Sequence, residues 1–323
     1  MAACRTIPMV EEALRLKHVP IADSYPFHLR MLSEVAREAA SFDVIHNHHD
    51  LWMMPLTRLT DVPVLTTLHG RMDAAGVAEG YQSWSGGGLI SISDSQRWAA
   101  PSLPYLRTIH HGIDLDHFRF HPRPGKYLAF LGRISPDKRP EWAIEVARRA
   151  GVPLKIAAKI EGQEGRHYYE SRVKPMIDGR QVEFIGEISE AEKSDFLGNA
   201  LALVFPIDWP EPFGLVMIES MACGTPVLAR PCGAVPEILR DGVTGYVSSD
   251  LATLAARVED VPQLDRANCR SWVEQRFSLK RMTEDYIDVY RALASGVGKG
   301  GNWFDRHRRH FLSPVKRTAD GNP

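Results

Sequence analysis

The stretch from Trp209 to Val227, WPEPFGLVMIESMACGTPV, constrains this chain more tightly than any other. It follows a short apolar run, Leu201 to Phe205, with the length and β-propensity of a buried parallel strand. Pro210 and Pro212 bar helix before Phe213, and Gly224 with Thr225-Pro226 closes the helical pattern of Phe213 to Cys223. The next strand is Val227 to Ala229, so the unit reads strand, loop, helix, strand. In such a unit the helix start lies at the carboxyl edge of a parallel sheet. Its unpaired N–H groups, here at Phe213, Gly214 and Leu215, favour a phosphate, and Gly214 lets a ligand approach the backbone closely.

Glu211 lies in the loop before that helix and Glu219 about two turns inside it. Glu219 sits among Leu215, Val216, Met217, Ile218 and Met221, where a carboxylate is costly unless paired. Two acceptors flanking a phosphate site suit sugar hydroxyls, while a solvated helix glutamate and an ordinary loop charge are the plainer alternative. The pair around PFG resembles the signature of the family-four retaining glycosyltransferases, which have the GT-B fold of two Rossmann-like, doubly wound α/β domains facing a cleft. The resemblance implies that Glu211 contacts the transferred sugar, that Glu219 holds the ribose hydroxyls, and that the backbone of Phe213 to Leu215 contacts sugar and phosphates.

At 323 residues the chain accommodates two domains, and 44% hydrophobic with 24% charged residues is ordinary for a globular protein. A net charge of -1 gives no electrostatic case for nucleic acid or an acidic membrane. Cys4, Cys223, Cys232 and Cys269 show no CxxC spacing, which favours reduced thiols and a cytoplasmic setting. No transmembrane segment or signal-peptide core is expected.

In the first half, Phe27 to Ala40 is patterned as an amphipathic helix. Asp43 to Asn47, Val62 to Leu68, Leu89 to Ile92 and Arg107 to Ile109 read as strands, with helices at Leu51 to Leu59 and Asp94 to Ala99. Gly86 to Gly88 is a turn rather than a dinucleotide loop. His46, His48, His49 and Asp50 invite a metal reading, but lack a third ligand at helical spacing, and no metal is expected. His69 ends a strand and precedes a glycine. Spacing alone leaves it as either a loop cap or a cleft residue, and the resemblance implies contact with the donor sugar. Ser93 to Arg97 is similar to the family's serine-rich turn, which makes Ser93 a donor-binding candidate.

Pro122, Pro124 and Gly125 mark the domain boundary within Asp114 to Lys126. Residues 1–123 are expected as the acceptor-side domain, 124–277 as the nucleotide-sugar domain, 278–297 as a helix crossing back, and 298–323 as a tail that is glycine-rich and then basic. Beyond the strand Tyr127 to Leu131, Gly132-Arg133 opens a polar loop holding Lys138, and a helix follows from Pro140 to Ala150. A guanidinium and an ammonium there can bind a diphosphate, although an isolated pair would be read as surface charge. The family's donor-phosphate pair aligns with Arg133 and Lys138. Strands at Leu154 to Ala158 and Val182 to Ile185, and helices at Tyr168 to Ile177, Glu190 to Leu197, Leu251 to Val258, Asp265 to Arg276 and Leu279 to Leu293, complete the pattern. The resemblance places the nucleotide base near Phe184 to Glu187, with Ile185 in contact.

Family members carry a strand and a glycine-rich loop ahead of the helix matching Phe27 to Ala40, so a shortened first domain and self-association through it are expected. The resulting reading is a retaining glycosyltransferase that moves a hexosyl group from a nucleotide diphosphate sugar to a sugar, lipid or small-molecule acceptor without a cofactor. Arg133, Lys138, His69 and Glu211 are its catalytic candidates, and Gly132, Ile185, Phe213, Gly214, Leu215, Ser93 and Glu219 complete the donor site. A catalytically impaired sugar-nucleotide-binding protein and an epimerase of the same fold are the competing readings.

Overall fold

The computed structural model describes residues 5–14, 16, 17, 19, 20, 23–84 and 87–295. Cys4, Gly86 of the glycine turn and the tail from Gly296 lie outside the described residues. The chain divides into two compact units. The first comprises Met1–Ser91, Ala99–Thr108 and Ile287–Pro323; the second comprises Ile92–Trp98 and Ile109–Tyr286.

In the first unit β1 (Ile45–Asn47), β2 (Val64–Thr67), β3 (Gly88–Ser91) and β4 (Tyr105–Thr108) form a parallel sheet in that order. All four expected strands form, each within two residues of its expected bounds. The first helix, Tyr25–Glu38, begins two residues early because Pro26 fits a first helical turn, where no backbone donor is needed. The helix expected over Leu51 to Leu59 is split into a 3-10 turn, Asp50–Met53, and a short helix, Leu56–Leu59, with Pro55 unable to donate between them. Leu32, Met53, Leu56 and Val64 form one core, and Met54, Leu68, Tyr81, Leu89, Leu103 and Tyr105 another.

The second unit holds a six-stranded parallel sheet. Its strands are β5 (Leu128–Arg133), β6 (Leu154–Lys159), β7 (Val182–Gly186), β8 (Ala202–Phe205), β9 (Val227–Ala229) and β10 (Gly245–Val247). The spatial order is β10-β9-β8-β5-β6-β7. From β5 the chain steps outward through β6 and β7, then returns to β8 on the other side of β5 and steps outward again through β9 and β10. The winding therefore reverses between β5 and β8, the kind of point at which open α/β sheets bind ligands.

The helix expected at Tyr168 to Ile177 starts earlier, as Gly162–Tyr168, and continues through a π turn, Tyr169–Val173, and a 3-10 turn, Lys174–Met176. Gly165 is a close-approach residue in it: an added Cβ would stand 3.3 Å from the Ile134 carbonyl in the loop after β5. The stretch Asp114 to Lys126 lies within the second unit, where the His121 amide donates to the Cys223 carbonyl. The helix Leu279–Ser295 contributes residues up to Tyr286 to the second unit and from Ile287 onward to the first. No described helix is long and apolar enough to cross a membrane.

Arg266, only 5% exposed, fastens this core. Its guanidinium donates to the carbonyls of His121, Gly198 and Ala200 and to the Thr225 hydroxyl. Replacing it leaves buried acceptors without donors. Arg266→Ala should lower unfolding free energy by about 3 kcal/mol or more. Urea unfolding followed by tryptophan fluorescence checks this, and a loss within experimental error would show that the carbonyls find other donors.

Candidate functional site

Two of the predicted residues meet at the reversal between β5 and β8. Lys138 lies in the loop after β5 and Glu211 in the loop after β8, and their side chains form an ion pair that is largely buried, 15% and 12% exposed. The Trp209 indole N–H donates to the same carboxylate oxygen, Glu211 Oε2, at 2.8 Å. The ammonium also stands 4.9 Å from the centre of the Trp209 ring and 5.8 Å from that of Phe205, within the range of a cation–π attraction. Glu211 is held from behind by Gly233, which has φ +59°; a Cβ there would stand 2.3 Å from both the amide nitrogen and the carbonyl oxygen of Glu211. The Ala234 amide donates to that carbonyl at 2.9 Å.

Gly214 precedes the helix Leu215–Ala222 with φ +89°, a left-handed conformation that glycine adopts without strain. A side chain here would run into the Met217 methyl, 2.7 Å away. Phe213 is buried and packs edge-on against His111, with ring centres 5.0 Å apart, while Leu215 is exposed. Inside the helix, Glu219 is 8% exposed and accepts from Lys193 Nζ at 3.2 Å. Lys193 was not anticipated: it lies on the helix Glu190–Gly198, and no local spacing links it to Glu219. Arg133 ends β5 and is half exposed, with Nη1 3.7 Å from Glu161. Lys138, Glu219 and Arg133 thus each have a different carboxylate or ammonium partner in the second unit.

Gly132 lies in β5 just before Arg133. Ile185 occupies a bulge, since β6 residues Ile156 and Ala157 pair with Phe184 and Gly186 and leave Ile185 out of register and 37% exposed. Ser93 is fully buried and caps the helix Asp94–Trp98 by accepting from the Gln96 amide at 3.0 Å. Glu237 accepts from the amides of Asp94 and Ser95 at 2.8 and 2.7 Å and from His110 Nε2 at 3.0 Å. Another group that the sequence did not single out is Ser135, whose hydroxyl is buried in the loop after β5 without a hydrogen-bond partner among the described residues.

His69 belongs to the first unit. Its Nε2 lies 2.9 Å from His48 Nδ1, and His48 Nε2 lies 3.2 Å from His46 Nδ1. Burial lowers the pKa of all three, that of His46 to about 3, so they are neutral near pH 7. Among the described residues no group of three or more His, Cys, Asp or Glu is placed to hold a metal.

Burial raises the Glu219 pKa above the ordinary carboxylate range, and Lys193 pulls it the other way. An acid with a raised folded pKa binds protons more tightly folded than unfolded, so its ionisation costs stability as pH climbs from the unfolded pKa through the folded one. Glu219→Gln removes that cost. Its stability relative to the unsubstituted protein should therefore be more favourable at pH 7 than at pH 4, as checked by thermal melts at the two pH values. The opposite order would mean that Lys193 more than compensates for burial.

Residues 115–275 match the family model described as glycosyl transferases group 1. Glycogen synthase of Mycobacterium tuberculosis (strain CDC 1551 / Oshkosh) is 30% identical over 278 residues, covering 76% of this chain and 65% of that protein. D-inositol 3-phosphate glycosyltransferase of Mycobacterium marinum is 28% identical over 332 residues, covering 88% and 69%. Sucrose-phosphate synthase from Thermosynechococcus elongatus superposes with a TM-score of 0.72 at 20% identity, covering 86% of this chain and 80% of that one. Anabaena Alr3699/HepE, solved in complex with UDP, gives 0.70 at 17% identity, covering 81% and 82%. At these identities the structural likeness speaks for the fold. Residues 115–275 of the chain thus resemble the glycosyl transferases group 1 family, and its two parallel α/β units are those of the GT-B fold.

Proposed function

We propose that the protein is a retaining glycosyltransferase that transfers a hexosyl group from a nucleotide diphosphate sugar to an acceptor hydroxyl. The observation that carries this reading is the meeting of Lys138 and Glu211 where the winding of the second sheet reverses. In this reading the Lys138 ammonium exchanges part of its pairing with Glu211 for the donor diphosphate, and Arg133 adds a second positive charge from the end of β5. The amides at Gly214 and Leu215 and the Ser135 hydroxyl supply further donors, so negative charge developing on the leaving diphosphate meets preorganised partners. Glu211 accepts from hydroxyls of the transferred sugar and Glu219 from those of the ribose, while the Ile185 bulge and its neighbours receive the base. His69 and Ser93 are assigned to the donor from their motifs. Anabaena Alr3699/HepE has also been solved in complex with UDP-glucose, which makes a uridine nucleotide the first donor to test.

The retaining outcome is assigned from the motif around PFG, with the leaving diphosphate taking the acceptor proton. A cytoplasmic setting belongs to the same reading, in keeping with the free thiols of Cys223, Cys232 and Cys269. Self-association does too: β1 is an edge strand of the first sheet, and Leu29 and Phe42 are exposed in the same unit. Sedimentation at rising concentration should then show a mass above the 36.2 kDa of one chain. A constant single-chain mass would remove that part of the reading.

Calorimetry with UDP and other nucleoside diphosphates tests the donor site. Lys138→Ala should cost about 1.5 to 3 kcal/mol of binding, the scale of a desolvated charge-assisted contact. Arg133→Ala, at a half-exposed residue, should cost about 1 kcal/mol or less. Unchanged affinity in Lys138→Ala would contradict the phosphate role. Product analysis with a nucleotide sugar alone and with an acceptor panel separates transfer from the alternatives, since an epimerase converts the donor without acceptor and a binding protein does neither.

A further inference from the structure

Asp208 and its two arginines lie beside the donor loops but have been given no role. Its carboxylate receives Arg139 Nη2 at 2.7 Å on one oxygen and Arg230 Nη1 at 2.7 Å on the other. Its backbone amide donates to the Asp137 carbonyl at 3.0 Å. One residue thus binds the loop after β5, which carries Lys138, to the loop after β8, which carries Glu211, and to Arg230 just beyond β9. The two guanidinium groups each stand 4.6 Å from the centre of the Trp142 ring, within the range of a cation–π attraction. Arg139 also reaches Glu141 at 3.4 Å.

The backbone adds the decisive feature. Arg139 has φ +50° and ψ +51°, a left-handed conformation that costs a side-chain-bearing residue of order 1 kcal/mol. It is one of two described non-glycine residues with positive φ, and it directly follows Lys138. The left-handed residue turns the chain from the β5 loop into the helix Pro140–Ala150. The direction in which Lys138 leaves the loop depends on that turn, and the turn is tied down by the Asp208 carboxylate.

We propose that Asp208 is a positioning residue for the donor phosphate site: by clamping the Arg139 side chain it holds residue 139 in the left-handed conformation and so aims Lys138 at Glu211. The inference rests on the donor reading for its functional half and on the geometry alone for its structural half.

The test uses the full chain with Asp208→Asn, Asp208→Ala, Arg139→Gly and the double variant Asp208→Ala/Arg139→Gly. Glycine adopts φ +50° without strain, so it supports the turn without the clamp. The first readout is the rate of reductive methylation of Lys138 in ligand-free protein, followed by mass spectrometry. It should rise several-fold in Asp208→Ala, less in Asp208→Asn, and return toward the original rate in the double variant. The second is UDP affinity by calorimetry, which should fall about tenfold in Asp208→Ala, the scale of one charge-assisted hydrogen bond, and recover in the double variant. A loss of local charge alone would act equally in Asp208→Asn and Asp208→Ala, and a simple loss of folding in Asp208→Ala would not be repaired by glycine at 139. Labelling of Lys138 that ignores Asp208, or a double variant no better than Asp208→Ala in labelling, overturns the proposal. If the unsubstituted protein binds none of the nucleoside diphosphates while labelling follows Asp208 and is rescued by Arg139→Gly, the donor reading fails and the positioning of Lys138 stands.

Discussion

Every strand in both sheets runs parallel to its neighbours, and a parallel strand can be reached only by a crossover that returns the chain to the starting edge. All strands of a sheet therefore deliver their following loops to one edge. Side chains far apart in sequence meet there without any contact being arranged between the helices. Lys138 and Glu211, 73 positions apart, are brought together because β5 and β8 are spatial neighbours. At the reversal of winding the two loops are also joined through their backbones, the Asp208 amide donating to the Asp137 carbonyl.

The groups at that edge are already engaged with one another. Lys138 with Glu211, Glu219 with Lys193 and Arg133 with Glu161 are opposite-charge pairs, two of them largely buried. A buried charge without a partner is expensive, so the site holds its charges by pairing them internally. A ligand rich in hydroxyls and phosphates can exchange with each pair: phosphate oxygens replace carboxylates at the cations, and hydroxyls replace ammonium donors at the carboxylates.

Much of this was legible in the sequence because proline and glycine fall where the backbone needs them. The prolines around Glu211 and the Gly-Thr-Pro closure set off the helix Leu215–Ala222, and β9 fell at its expected residues. The same residues concealed other elements. Glycine is a poor helix former, yet Gly162 and Gly165 lie in a helix, and Gly165 lets it lie against the loop after β5. The helix Val77–Gln82 follows a left-handed Gly76, and β10 has three residues, too few for a period to show. Glu219 was legible as a carboxylate needing a partner, but Lys193 reaches it from another helix. The left-handed turn at Arg139 leaves no trace in composition, because arginine is not a residue that such a turn selects.

Trp209 gives the site an optical consequence. Its indole N–H is bonded to Glu211, and the Lys138 ammonium stands over its ring, so two full charges of opposite sign lie within contact distance of one chromophore. Indole emission responds to the field along its excited-state dipole, and any molecule that draws Lys138 away or engages Glu211 alters that field at close range. The residue that braces the carboxylate thus also serves as a built-in reporter of whether the carboxylate is occupied, readable in solution without a label.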